Sequence, residues 1–150
     1  MGDESLRDII AFAVKREQEA VDFYEGLASK VRSEAIADEL KKMAAMEMGH
    51  KRKLENMDLE GFVSKPSGDL QDLKIADYTV TSEPSEGMGW QDVVNIAMHR
   101  ELASVKLYTD LAGMVSDPTI KALFEGLAGE EMGHKNYLET IWDEEVMRWN

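Results

Sequence analysis

Glu47-Met48-Gly49-His50-Lys51 returns 84 positions later as Glu131-Met132-Gly133-His134-Lys135, and Glu17 and Glu101 keep the same interval. Aligning the chain with itself at that offset matches residues 8–55 to 92–139 without a gap. Eighteen of those 48 positions are identical, among them Ala13/Ala97, Arg16/Arg100, Val21/Val105, Tyr24/Tyr108, Leu27/Leu111, Ala28/Ala112 and Leu54/Leu138. The chain is a duplicated unit.

Apolar residues within each copy recur at intervals of three and four, the period of an amphipathic helix. In the first copy these are Ile9, Ile10, Ala13, Ala20, Phe23, Tyr24, Leu27 and Val31, then Ile36, Leu40, Met43, Ala44 and Leu54. Ser33 and Asp117, equivalent under the offset, stand where a helix N-cap is expected. Pro118 then takes the first helical position, where its missing N–H costs nothing. Each copy therefore reads as a helical hairpin, with helices over roughly 4–31 and 34–57, then roughly 89–115 and 118–147. Residues 58–88 hold Pro66 and Pro84 among glycines and serines and show no helical period. A linker of that length suits a crossover running along a bundle, since a helix of about 24 residues is roughly 36 Å long. The expected architecture is an all-α, four-helix bundle, built as one domain over residues 1–150.

Composition narrows the chemistry. The formal net charge of -13 opposes nucleic acid and anionic membrane surfaces and favours cations, although an acidic surface also serves solubility alone. No apolar run is long enough to span a bilayer. Met1-Gly2-Asp3-Glu4-Ser5 is acidic where a secretory signal is basic, and Leu6 replaces the Ser or Thr of a myristoylation motif, so a cytoplasmic location is expected. Zero cysteines exclude disulfides, thiolate zinc sites and iron-sulfur clusters. Any metal must be held by carboxylates and imidazoles.

The repeated phrase offers those groups. Residues three apart on a helix lie about 60° apart around the axis and roughly 4.5 Å along it, so Glu47 and His50 reach one point, as do Glu131 and His134. Glu17 and Glu101 add a carboxylate each from the other helices. Four carboxylates balance two divalent ions, with neutral imidazoles completing the shells. Without metal, four carboxylates gathered in an apolar core repel or take up protons, so the metal-free form is expected to be less stable. A single E-x-x-H on a helix is commonly an exposed side-chain pair. Two of only three histidines carry this one, at equivalent places.

Other polar residues rank lower. His99 precedes Glu101 by two residues, about 200° around the helix, and should face away. Glu19 and Glu130 are expected to face solvent. Tyr24 and Tyr108 follow Glu17 and Glu101 by seven residues on the same stripe, either as ordinary core or as phenols bonded toward a ligand or a bound oxygen species. The ten methionines read as flexible core filling.

Written out, the chain reads Glu17-x-x-Ala20-x-x-x-Tyr24, Glu47-x-x-His50, a long linker, Glu101-x-x-Ser104-x-x-x-Tyr108 and Glu131-x-x-His134. In this it resembles the rubrerythrin-like branch of the ferritin-like superfamily, over nearly its whole length and including Asp72-Leu73-Lys74-Ile75-Ala76-Asp77-Tyr78 in the linker. The resemblance implies a ferritin-like four-helix bundle around a non-haem di-iron centre. It also implies roles: Glu47 and Glu131 bridge the metals, Glu17 and Glu101 are terminal, and His50 and His134 bind one metal each. Family members commonly form dimers and react with peroxide or dioxygen. Rubrerythrins proper add a rubredoxin domain with four cysteines, absent here, and a further glutamate where this chain has Ser104.

The expected activity is that of a di-iron oxidoreductase reacting with hydrogen peroxide or dioxygen, in oxidative-stress or oxygen-scavenging chemistry. An external electron donor, such as a rubredoxin-like protein, would re-reduce it, and a homodimer is expected. The same ligands would also serve iron binding, storage or sensing without turnover. A third reading is a structural or partner-binding helical bundle whose site holds zinc or nothing and which has no redox chemistry; metal identity separates it, since Glu and His ligands accept manganese or zinc as well as iron.

Overall fold

A computed structural model describes residues 2–58 and 90–149. They form four helices, α1 (Gly2–Ala28), α2 (Glu34–Glu55), α3 (Trp90–Met114) and α4 (Pro118–Trp149). No strand occurs among the described residues. The expected crossover from residue 59 onward, with the phrase Asp72 to Tyr78, lies outside them. One compact unit contains α1 and α2, and a second contains α3 and α4. None of the described helices is long and apolar enough to cross a membrane.

Each hairpin is set by its second helix's start. Ser33 stands at φ -82° and ψ 121°, and its side chain accepts from the Ile36 N–H at 3.3 Å, meeting one of the donors a helix start leaves over. Asp117 does the same twice, its Oδ1 accepting from Thr119 at 2.8 Å and Ile120 at 3.3 Å, with Pro118 opening α4. Both expected caps are present. Glu34 in the first turn of α2 and Arg52 and Lys53 in its last turn complement the helix dipole.

The first helix stops earlier than its apolar pattern suggests, at Ala28 rather than near Val31. The backbone tightens there: Lys30 N–H donates to Leu27 O at 3.0 Å, three residues back, and the Ser29 hydroxyl donates to Gly26 O at 2.7 Å. Val31, which continues the apolar pattern, is half-buried and lies beyond the helix end.

Four buried seams run through the helices. That of α4 is Phe124, Leu127, Glu131, His134, Leu138 and Ile141, and that of α2 is Ile36, Leu40, Met43, Glu47, His50 and Leu54. Both alternate steps of three and four, so the polar pair is buried for the same geometric reason as its apolar neighbours. In α1 the seam passes Ile10, Ala13, Glu17, Tyr24 and Leu27, and in α3 it passes Val94, Ala97, Glu101, Tyr108 and Leu111. Ala20 and Phe23, expected in the core, are half-buried, and Val21 is buried instead. The methionines depart further from expectation: Met43 is core, whereas Met46 and Met132 are 39% and 38% exposed. Those two fall between seam positions, on the outer side of their helices.

Candidate metal centre

Each unit builds one triad of two carboxylates and an imidazole. In the first, α1 supplies Glu17 while α2 supplies Glu47 and His50. In the second, α3 supplies Glu101 while α4 supplies Glu131 and His134. All six are buried, the most open being His134 at 5% exposure. His50 Nδ1 lies 3.5 Å from Glu17 Oε2 and 3.9 Å from Glu47 Oε1. His134 Nδ1 lies 3.8 Å from Glu101 Oε1 and 3.9 Å from Glu131 Oε1. Within each triad, one ligand atom per residue can be chosen so that all lie within 4.8 Å of one another.

These separations fit a cation. An N–H···O bond is commonly about 2.7–3.2 Å long, shorter than any of the four contacts. Donors held at about 2.0–2.2 Å from one divalent ion, at tetrahedral or wider angles, stand roughly 3.3–3.9 Å from each other. Burial adds a second reason. Two carboxylates per triad, at 3% exposure or less, are costly to keep ionised without a compensating positive charge. The donor set is oxygen and imidazole nitrogen only, which suits iron, manganese or zinc.

Every expected ligand is therefore buried in a triad. His99 is exposed, as its angle around α3 requires. Glu19 is 38% exposed at its side chain and pairs with Arg16 at 3.2 Å, and Glu130 is partly exposed. Tyr24 and Tyr108 are fully packed: the Tyr108 ring stacks on Phe124 at 6.3 Å between centroids, and Tyr24 meets Phe23 edge-on at 5.4 Å.

Two features escape the sequence reading. Arg16 and Arg100 precede the α1 and α3 glutamates, and each guanidinium has a nitrogen sealed from solvent. The Arg16 guanidinium also lies 5.8 Å above the Phe12 ring. Their recurrence at the 84-residue interval is the signal that marks them. The other feature is a bond from Lys51 to Gln18 at 2.8 Å, which joins α2 to α1 beside the ligands. No repeat marks it, because Gln18 is not repeated.

Solved structures share this fold. The chain aligns with a protein from Thermotoga maritima, provisionally described as a ferritin-like diiron-carboxylate protein, at TM-score 0.73 and 20% identity, covering 92% of this chain and 94% of that one. It also aligns with a hypothetical protein from Pyrococcus furiosus at TM-score 0.72 and 25% identity, covering 100% of this chain and 95% of that one. The fold is the all-α, ferritin-like four-helix bundle. The family model described as Rubrerythrin matches residues 8–142, and the chain belongs to that family. No curated protein matches it.

Proposed function

We propose that the two triads close into one di-iron centre and that the protein is an oxidoreductase reacting with hydrogen peroxide or dioxygen. The observation that carries this reading is the pair of buried Glu–Glu–His triads, each with contacts of 3.5–3.9 Å, in a chain of the rubrerythrin family. Iron held there would supply electrons and polarise an O–O bond.

The residues of the chain have separable tasks. Glu17, Glu47, Glu101 and Glu131 would bring four negative charges to neutralise two divalent ions, and His50 and His134 would add one neutral donor for each. Met43, Leu54, Leu127 and Leu138, each at most 4% exposed, flank the ligands along the seams of α2 and α4 and keep bulk water from them. With water excluded, the carboxylates act at short range in a low dielectric. The proposed source of electrons for re-reduction is an external donor such as a rubredoxin-like protein. A homodimer in the cytoplasm is the setting proposed.

Ser104 supports a second reading, iron binding or sensing without turnover, since it stands where the resembling enzymes carry a further carboxylate. One experiment separates the two. The anaerobic protein is titrated with ferrous iron, then mixed with peroxide or with dioxygen while absorbance is followed. The oxidoreductase reading predicts two irons per chain, oxidised and then re-reduced over repeated turnovers by an added donor. Binding of two irons without turnover favours sensing or storage, and failure to bind iron refutes both.

A further inference from the structure

Lys51 follows His50 and Lys135 follows His134, and each has a glutamate four residues on, Glu55 or Glu139. The two lysines nevertheless take different partners. Lys51 Nζ crosses from α2 to α1 and donates to Gln18 Oε1 at 2.8 Å. Lys135 stays on α4, with Nζ 3.0 Å from Glu139 Oε2. The residue facing each lysine accounts for the difference. Gln18 has an acceptor, whereas its counterpart is Leu102, apolar and 41% exposed.

Gln18 is itself held. Its Nε2 donates to Asp22 Oδ1 at 3.0 Å, one helical turn further on. A carboxylate only accepts and an ammonium only donates, so the amide has one orientation, with nitrogen toward Asp22 and oxygen toward Lys51. The counterpart of Asp22 is Lys106, a donor in place of an acceptor, so the second unit lacks both acceptors of the relay. The relay joins the residue after Glu17 to the residue after His50 and so fixes α1 against α2 at the level of two ligands.

We propose that Asp22, Gln18 and Lys51 form a positioning clamp that makes the two metal positions unequal. The Glu17–Glu47–His50 triad is preset and fills first, and the Glu101–Glu131–His134 triad is adjustable and fills second. This rests on the metal-centre reading above and adds an order of filling to it. A preset triad gives up less conformational freedom on binding and so binds more tightly. The geometry runs the same way: the histidine to α-helix-partner glutamate contact is 3.5 Å in the first unit and 3.8 Å in the second, and the histidines are 1% and 5% exposed.

The test is an anaerobic titration of the full chain with cobalt(II), read by its visible absorption, in two backgrounds. His134→Ala leaves the first triad whole and His50→Ala leaves the second. Binding is expected to be tighter in the His134→Ala background. Adding Gln18→Leu, which copies the second unit without changing charge, should weaken binding there by about fivefold, the size of one ordinary hydrogen bond and less than the full worth of a bond to a charged partner, since the bond is present before metal binds. The same change should leave the His50→Ala background unmoved. Lys51→Arg, which keeps the charged donor, should retain the affinity. Leu102→Gln, which offers Lys135 an acceptor across the hairpin, should tighten binding in the His50→Ala background. Equal affinities in the two backgrounds, or equal shifts of both by Gln18→Leu, overturn the clamp and leave the metal centre standing. If Gln18→Leu fails to fold, judged by its circular dichroism, Leu102→Gln decides alone, and an unchanged affinity overturns the clamp. Absence of cobalt binding by the parent chain refutes the metal centre itself, and the clamp with it.

Discussion

Replacing a whole triad by leucines, as Glu101→Leu, Glu131→Leu and His134→Leu together, should make the metal-free protein more stable while removing the second triad's share of its response to metal. The three side chains are 3%, 1% and 5% exposed, and the two on α4 stand in a seam whose other members, Phe124, Leu127, Leu138 and Ile141, are at most 1% exposed. Leucine has the size and the pattern that seam requires. Exchanging a buried ionic triad for packed apolar residues is worth about 1–4 kcal/mol, because the desolvation cost of the charges disappears. For a chain of this length, that corresponds to a rise of roughly 3–12 °C in the unfolding midpoint. The assay is thermal unfolding followed by circular dichroism, first with a chelator and then with manganese(II) or ferrous iron. The parent chain should gain about 2.7 kcal/mol for each site filled at a hundredfold excess over its dissociation constant, and the variant only the share of the first triad. A variant less stable than the parent in chelator would refute the reasoning, since the triad would then stabilise the fold through its own contacts rather than await a cation.

Three further outcomes are expected. Replacing Glu47 and Glu131 together by alanine should abolish both metal binding and any reaction with peroxide or dioxygen, checked by ferrous titration and stopped-flow absorbance. Asp117→Ala should cost about 1–2 kcal/mol in urea unfolding and Ser33→Ala less, because Asp117 accepts from two helix-start N–H groups and Ser33 from one. Gly133→Ala should stabilise the protein by about 0.5–1 kcal/mol and leave metal affinity unchanged, since among the described residues, its chain neighbours and its own helix's backbone aside, nothing lies within 4 Å of the added methyl and helical glycine is costly. The last result would separate the ligands of the repeated phrase from a glycine that merely recurs with them.

Much of this structure is legible in the residues because one period governs both packing and chemistry. The three-and-four spacing that buries Leu127 and Leu138 also buries Glu131 and His134 between them, so the seam and the triad are read at once. The caps are legible too, since a serine or an Asp-Pro pair at a helix start acts through its own backbone neighbours. The end of α1 is not. Val31 continues the apolar pattern past Ala28, and the 3-residue bond from Lys30 to Leu27 that ends the helix leaves no compositional mark. The methionines are legible only one by one: Met43 falls on the three-and-four spacing and is buried, whereas Met46 and Met132 stand one position off it and are exposed, which composition alone does not report. The choice of Lys51 between Glu55 and Gln18 depends on a distance between two helices, which no spacing along either one reports.

The most direct test of the account is a crystal structure of the iron-loaded protein with anomalous scattering recorded at the iron edge. Two peaks per chain are predicted, one against Glu17, Glu47 and His50, the other against Glu101, Glu131 and His134. Iron held by exposed carboxylates elsewhere, or a single peak touching one triad alone in the fully loaded protein, would contradict it.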